Sequence, residues 1–452
     1  VTNLREASEP ALPARERLER VLSLRHFVAV GINVGIGGSI YLIGAGIYRL
    51  SGTWSLVLAG AVGTFSLIVS LVMADVSSRF EDTGGCYVQT RAAFGAFCGF
   101  EIAWMLWFTR VTAQASLTNG IATSVGYFFG GTLPAGARIV CIVVVTLGVG
   151  LLHLRRVRFG ARIMLSFAVF KLLPLVIVLS AAAWLGFIRP VHIGAPPGAS
   201  DCITVALLLL FSLSGFEIIA VPAGEGRNPR HDVPLATILS IGVVLIIWML
   251  LHLTLINTVP NLGAESRPVA VSAMRLMGSG MGVVVNIGAI VSALGTCIAI
   301  HLAASRSLYA VALDNLVPSW FSVLHPVQRV PRNAILFSTA VVLLLSVWGS
   351  FEFLAVGSAI PRLVIFFSVA AALIRFRHSA AVRNTVPASA FVLPFGSVLA
   401  ALVMLVCVLV FAMASLSQRS FTAVGVLLGA LLYVGNAWNR SLASTHGGRQ
   451  GP

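Results

Sequence analysis

A succession of apolar runs, each about 20 residues long and nearly free of charge, limits what this chain can become. Wound as a helix, a run of that length crosses the ~30 Å hydrocarbon layer of a bilayer. Of its 452 residues, 58% are apolar and only 10% charged, whereas a soluble domain carries about 25% charged residues. The class is therefore all-α integral membrane protein. Twelve transmembrane helices are expected, near 27–50, 54–76, 95–123, 137–153, 161–187 and 203–224, then 234–258, 281–311, 333–350, 353–374, 391–415 and 421–438.

The formal charge of +15 does not describe a nucleic-acid surface, because the basic residues are scattered through short loops. All but Lys171 of the 30 basic residues are arginine, and they alternate by loop. One side of the membrane collects Arg79, Arg91, Arg155, Arg156, Arg158, Arg162, Arg227, Arg230, Arg329, Arg332, Arg375, Arg377, Arg383, Arg440 and Arg449. The other keeps Arg138, Arg189, Arg267, Arg275 and Arg419. The positive-inside rule makes the richer side cytoplasmic, with both termini there, as expected of a multi-pass cell (inner) membrane protein. Residues 1–26 mix Arg and Glu without the apolar core of a secretory leader, so they read as a cytoplasmic tail. Residues 439–452 read as a second tail. Cys86, Cys98, Cys141, Cys202, Cys297 and Cys407 lack metal or disulfide spacing and read as small buried apolar groups.

Two spans are interrupted by small residues. The first holds Ile43-Gly44-Ala45-Gly46-Ile47-Tyr48 and the sixth holds Phe211-Ser212-Leu213-Ser214-Gly215-Phe216-Glu217. Glycine costs roughly 1 kcal/mol against alanine within a helix. In a membrane, freed backbone groups survive only where protein or a polar cavity receives them. A matched pair of broken spans points to the binding site of a secondary transporter. With five spans in each half, the halves face opposite ways, giving an inverted repeat over spans one to ten. Broken at Gly44–Gly46, the first span would offer N–H groups and a positive helix end to a carboxylate. Broken at 211–215, the sixth would offer carbonyls to an ammonium. The same glycines could instead serve only close helix packing.

Several pieces together resemble the amino acid-polyamine-organocation superfamily of permeases. Ile43–Tyr48 resembles its first-span motif, and Ala74-Asp75-Val76-Ser77-Ser78-Arg79 with Gly84-Gly85-Cys86-Tyr87 its second span and following loop. Where the family usually has glutamate, this chain has Asp75. Pro222 to Pro234, with Glu225, Asn228-Pro229 and Arg230, is similar to the connection after the sixth span, and Ser305–Ala310 with Asp314–Pro318 to the end of the eighth. The likeness covers nearly the whole chain. It implies a LeuT-like 5+5 inverted repeat, with a transport core at 27–390 and two further spans in 391–438. It also implies that Phe211 is an aromatic gate and that Ser212, Ser214 and Gly215 line the substrate pocket beside Ile43, Gly44, Ala45 and Gly46.

Lys171 falls in the fifth span, where a charge must be paired or face a cavity. In some members of the family a lysine here takes the space of a sodium ion between the first and eighth spans. Lys171 is thus expected to replace sodium and to link transport to protons, the alternative being a fixed structural cation. Arg110 could meet a substrate carboxylate, but an ion pair with Glu217 or Glu101 is the favoured reading, since an unpaired arginine would repel a substrate ammonium. Glu217 could titrate or hold a gate, and Arg362 reads as structural. Pro229 and Pro234 are expected to end helices around the loop after the sixth span. His153, His252 and His301 lack ligand spacing, so no metal or cofactor is expected, and a membrane enzyme is disfavoured. The expected function is sodium-independent, proton-coupled amino acid transport by alternating access, with an amino acid/amine exchanger or a non-transporting sensor as rivals. A neutral substrate is expected because no pocket acid besides Glu217 is evident.

Overall fold

The computed structural model describes residues 22–80, 85–155, 161–219, 225–383, 387–388 and 391–447. The N-terminal tail to residue 21, Gly84, Arg156, Arg158, residues 222–224 of the sixth-span motif and Arg449 lie outside them.

The described residues form α1 (Leu24–Gly35), α2 (Ser39–Ser51), α3 (Trp54–Ser77), α4 (Cys86–Phe94), α5 (Ala96–Val125), α6 (Ala135–Leu154), α7 (Ala161–Trp184) and α8 (Ala199–Ser212). The chain continues with α9 (Pro229–Thr258), α10 (Pro268–Met277), α11 (Ser279–Leu313), α12 (Arg332–Trp348), α13 (Phe351–His378), the single turn α14 (Ala380–Arg383), α15 (Gly396–Met413) and α16 (Leu416–Gly447). Among the described residues seven helices are each long and apolar enough to cross a membrane, and α1 and α2, bent by 45° at their junction, pass the same test together. Their outward faces carry bare apolar side chains, as on α6 at Val140, Val144 and Leu151 and on α16 at Leu427, Leu431 and Val434. Lipid satisfies such a face and water does not. This is a multi-pass membrane protein.

Two groups of helices surround the centre. In one, α1 and α3 pack on α9 while α2 and α3 pack on α8. In the other, α5 packs on α11 and α12, and α6 on α12. Between them runs α13, of whose most apolar stretch 78% is buried, against 17% for α16 at the periphery. Small residues let these helices approach, which is how helices associate in lipid, where no hydrophobic drive exists. A Cβ on Gly31 would fall 2.3 Å from Ser240 Oγ on α9.

The loop arginines bond in two separate sets. Arg377 and Arg79 (3.2 Å) meet Asp75, Arg230 donates to the Ser78 carbonyl at 2.9 Å, and Arg91 pairs with Asp314 at 2.9 Å. At the other end Arg49 pairs with Glu352 at 2.6 Å, Arg138 donates to Asn119, and Arg189 donates to Asn257 at 3.3 Å. Within α4, in the connection between α3 and α5, Tyr87 donates to Asp314 at 2.5 Å. Burial and the bond to the Asp314 carboxylate push the Tyr87 hydroxyl up to about 12, so it remains a donor there.

Pro229 begins α9 and Pro234 lies inside it, in the second turn, so neither ends a helix, a correction to the sequence reading. Pro229 takes the first helical position, where its missing N–H leaves no bond unmade. The loop before it has a second partner: Leu22 donates to the Glu225 carbonyl at 2.9 Å and accepts from Arg227 N–H at 2.8 Å, fixing the entry to α1.

Candidate functional site

The break in the first span is not where the sequence reading placed it. The helix runs without interruption through Ile43, Gly44, Ala45 and Gly46, and opens instead at Ile36-Gly37-Gly38. Gly44 and Gly46 serve packing. A Cβ on Gly44 would lie 3.0 Å from Leu255 Cδ1 of α9, and one on Gly46 would lie 2.6 Å from the Glu352 carboxylate that pairs with Arg49. Gly38 is the tighter position, since its Cβ would fall 2.4 Å from Ala293 Cβ and 2.7 Å from Ala293 Cα on α11. Gly35, Gly37 and Gly38 form the densest glycine cluster in this span, and that density was the overlooked signal. α2 starts without a side-chain cap on Gly38; the Tyr41 N–H donates to the Gly38 carbonyl at 3.3 Å, and the Ser39 and Ile40 N–H groups before it have no helical acceptor.

The second expected interruption falls at the end of α8. α8 stops at Ser212, Gly215 adopts φ 119°, and a single 3₁₀ turn follows over Phe216–Ile218. Glycine suits that left-handed conformation, and a side chain there would also strike Val34 Cγ1 at 2.6 Å. The last turn of α8 leaves carbonyls without helical donors. Ser212 Oγ reaches Ser39 Oγ at 3.5 Å, so the two breaks meet.

A cavity lies between the breaks. Gly37 and Ser39 line one wall and Phe211, Ser212, Ser214 and Gly215 another, with Thr109 and Arg110 of α5, Thr296 of α11, Glu217 and Arg362 around them. Phe211 is buried and meets Phe351 edge-on at 6.3 Å. Ile43, Gly44, Ala45 and Gly46 do not line it.

Glu217 pairs with Arg362 at 3.2 Å and accepts the Gly215 N–H at 2.8 Å. Arg362 also donates to Ser214 Oγ, which in turn donates to the Phe211 carbonyl at 3.0 Å. One ion pair thus holds the whole α8 break. Arg110 makes no direct ion pair with Glu217 among the described residues, although that carboxylate, bonded to Arg362, still acts on it through space. Nor does it meet Glu101, which lies nine residues back on α5, about 14 Å along and half a turn around the helix. Glu101 instead packs at α16, where a Cβ on Gly429 would come within 2.9 Å of its carboxylate. Arg110 donates to the Ala303 carbonyl at 3.2 Å and to Ser307 Oγ, both on α11.

Lys171 is 2% exposed and ties α1 to α11. Its ammonium donates to the Asn33 carbonyl at 3.0 Å, just before the first break, and to Thr296 Oγ1 at 2.7 Å. No acidic side chain pairs with it among the described residues. The histidines sit within helix packing: His252 bonds Ser55 Oγ at 2.8 Å, and His301 bonds Gln114 Oε1 at 3.0 Å with the His153 ring 5.0 Å away. No group of three potential metal ligands occurs among the described residues. The six cysteines are free thiols.

The amino acid permease family profile matches residues 22–432. The chain belongs to the amino acid permeases of the amino acid-polyamine-organocation superfamily. It is 25% identical to the mitochondrial cationic amino acid transporter 3 of Arabidopsis thaliana, over 80% of this chain and 63% of that one. It is 27% identical to an uncharacterized transporter of Mycobacterium tuberculosis, over 78% of this chain and 80% of the relative. It is also 27% identical to the glutamate/serine transporter AimA of Bacillus subtilis, over 68% of this chain and 62% of that protein. The chain thus spans less than two thirds of the length of the first and third of these relatives.

Proposed function

We propose that this protein carries amino acids across a membrane by alternating access, without sodium and coupled to protons. The single observation behind this reading is the pair of opposed helix ends across one cavity, with a lysine ammonium seated at the edge of the first break. The free N–H groups at the start of α2 suit a carboxylate, and the carbonyls at the end of α8 suit an ammonium. These are the two charges of an amino acid zwitterion. Amino acids are also what the names of the Arabidopsis and Bacillus relatives specify.

Lys171 bridges α1 and α11 through the Asn33 carbonyl and Thr296 Oγ1, and in this reading its ammonium stands in for a sodium ion. Unlike a guanidinium, a lysine ammonium can exchange its proton. A change in its protonation would alter the link between the α1 side and the α11 side, which rock against each other in this reading. Twelve spans, ten of them in two inverted five-helix halves forming the core at 27–390, and cytoplasmic termini in an inner membrane complete the proposal.

Purified protein in liposomes tests it. Uptake of a labelled amino acid is expected with sodium absent and is expected to rise under an inward proton gradient. Lys171→Met is expected to lower uptake at least tenfold while the protein stays monodisperse in detergent. An absolute sodium requirement would overturn the lysine assignment, and indifference to the gradient would overturn proton coupling.

A further inference from the structure

We propose that the amino acid carried has an acidic side chain, whose carboxylate is received by Arg110. This deepens the transport reading above and rests on it.

Arg110 is 5% exposed, lines the cavity, and donates from one Nη to two neutral acceptors on α11. Its other nitrogens have no bond to a described residue. Glu217, the acid lining the cavity, is already held by Arg362 and the Gly215 N–H. Lys171, behind Thr296, adds a second cation with neutral partners. The cavity therefore carries net positive charge inside the membrane, where an uncompensated guanidinium is costly. A zwitterion brings no net charge and leaves it so. A substrate with one further carboxylate offsets one of these two positive charges, that of Arg110.

The geometry gives that carboxylate a place of its own. The α2 start and Arg110 are separate anion receptors on different walls, one of backbone N–H groups and one a guanidinium able to grip a carboxylate with two bonds. A neutral amino acid has one carboxylate and fills one of them. Beside Arg110 stands Thr109, 2% exposed, lining the cavity, with its hydroxyl unbonded. Of the buried hydroxyls without a partner among the described residues it is the one that lines the cavity, and it can donate to a substrate oxygen. The substrate ammonium then lies away from Arg110, at the α8 carbonyls. This departs from the neutral substrate expected from sequence, because that expectation could not see Glu217 engaged by Arg362.

The test is competition in proteoliposomes with labelled glutamate against aspartate, glutamine, asparagine, serine, alanine and arginine. In the unaltered protein, the two acids are expected to compete at least about tenfold better than their amides, since a site built for a charged group rejects the analogue lacking it. Arg110→Gln is expected to lose that preference while still accepting the amides, and Arg110→Lys to retain part of it. Equal competition by amides and acids in the unaltered protein overturns the inference, as does an Arg110→Gln variant that loses all substrates in equal proportion. If Arg110→Gln does not fold, thermal stabilisation of the unaltered protein by the same panel decides between acid and amide. Uptake of neutral or cationic amino acids alone sinks the acidic substrate and leaves the transport reading standing. No uptake and no stabilisation by any amino acid sinks both.

Discussion

Arg362 and Glu217 are a case in which removing one partner costs far more than the pair itself contributes. Both are buried within the membrane-spanning region, and Arg362 lies in the middle of α13. Arg362→Ala leaves the Glu217 carboxylate buried with only the Gly215 N–H, and a stranded buried charge costs about 3–5 kcal/mol. A clear fall in the thermal unfolding midpoint in detergent is expected. Adding Glu217→Gln should recover part of it, so that the double variant loses less than the two singles summed. Strict additivity would mean that the pair does not act as a unit. The acid at 217 was visible in the sequence as a charge beside a break. Its partner was not, because the two lie 145 positions apart and only folding brings α13 alongside α8.

At the scale of the helix, the two breaks behaved differently under sequence reading. The sixth span ends at Ser212 because Ser214-Gly215 permits the turn and Glu217 folds back to bind Gly215 N–H, all within six residues. Local chemistry there decided local structure. In the first span, two glycine clusters compete, and propensity alone weighs them alike. Neighbours decided between them: Leu255, His252 and Glu352 pack against Gly44 and Gly46 as helix, whereas Gly38 yields where Ala293 crowds it. Gly38→Ala would force backbone apart, at a cost of about 1–3 kcal/mol for overpacking, and is expected to abolish most uptake. Gly44→Ala meets the flexible end of Leu255 at 3.0 Å and the His252 ring at an ordinary 3.4 Å contact, and is expected to retain most of it. The reverse pattern in transport assays would return the functional break to residues 44–46.

At the scale of the molecule, polar clamps close one end of the bundle. Asp75 on α3 accepts from Arg79, from Arg377 at the end of α13, and from the Leu393 N–H ahead of α15 at 2.9 Å. Asp75→Ala leaves two guanidiniums without that carboxylate and loosens three segments together. The expected result is a lower unfolding midpoint and faster maleimide labelling of Cys86, which is 2% exposed, in a variant retaining no other cysteine. Unchanged labelling with a lowered midpoint would make Asp75 a fold clamp with no part in closing that end. The alternation of arginine-rich and arginine-poor loops anticipated the separation of these clamps from the Arg49–Glu352 end.

The sequence by itself determined the all-helical membrane class, the approximate places of the long apolar helices and the burial of a lone lysine. These follow from composition, helix length and near-neighbour chemistry, which need no knowledge of what packs where. Only the tertiary structure decided which glycines open the first span, which cation holds Glu217, and that no acid among the described residues bonds Arg110 at the cavity. Each of those depends on a contact between helices remote in sequence, where packing space and charge pairing outweigh local propensity.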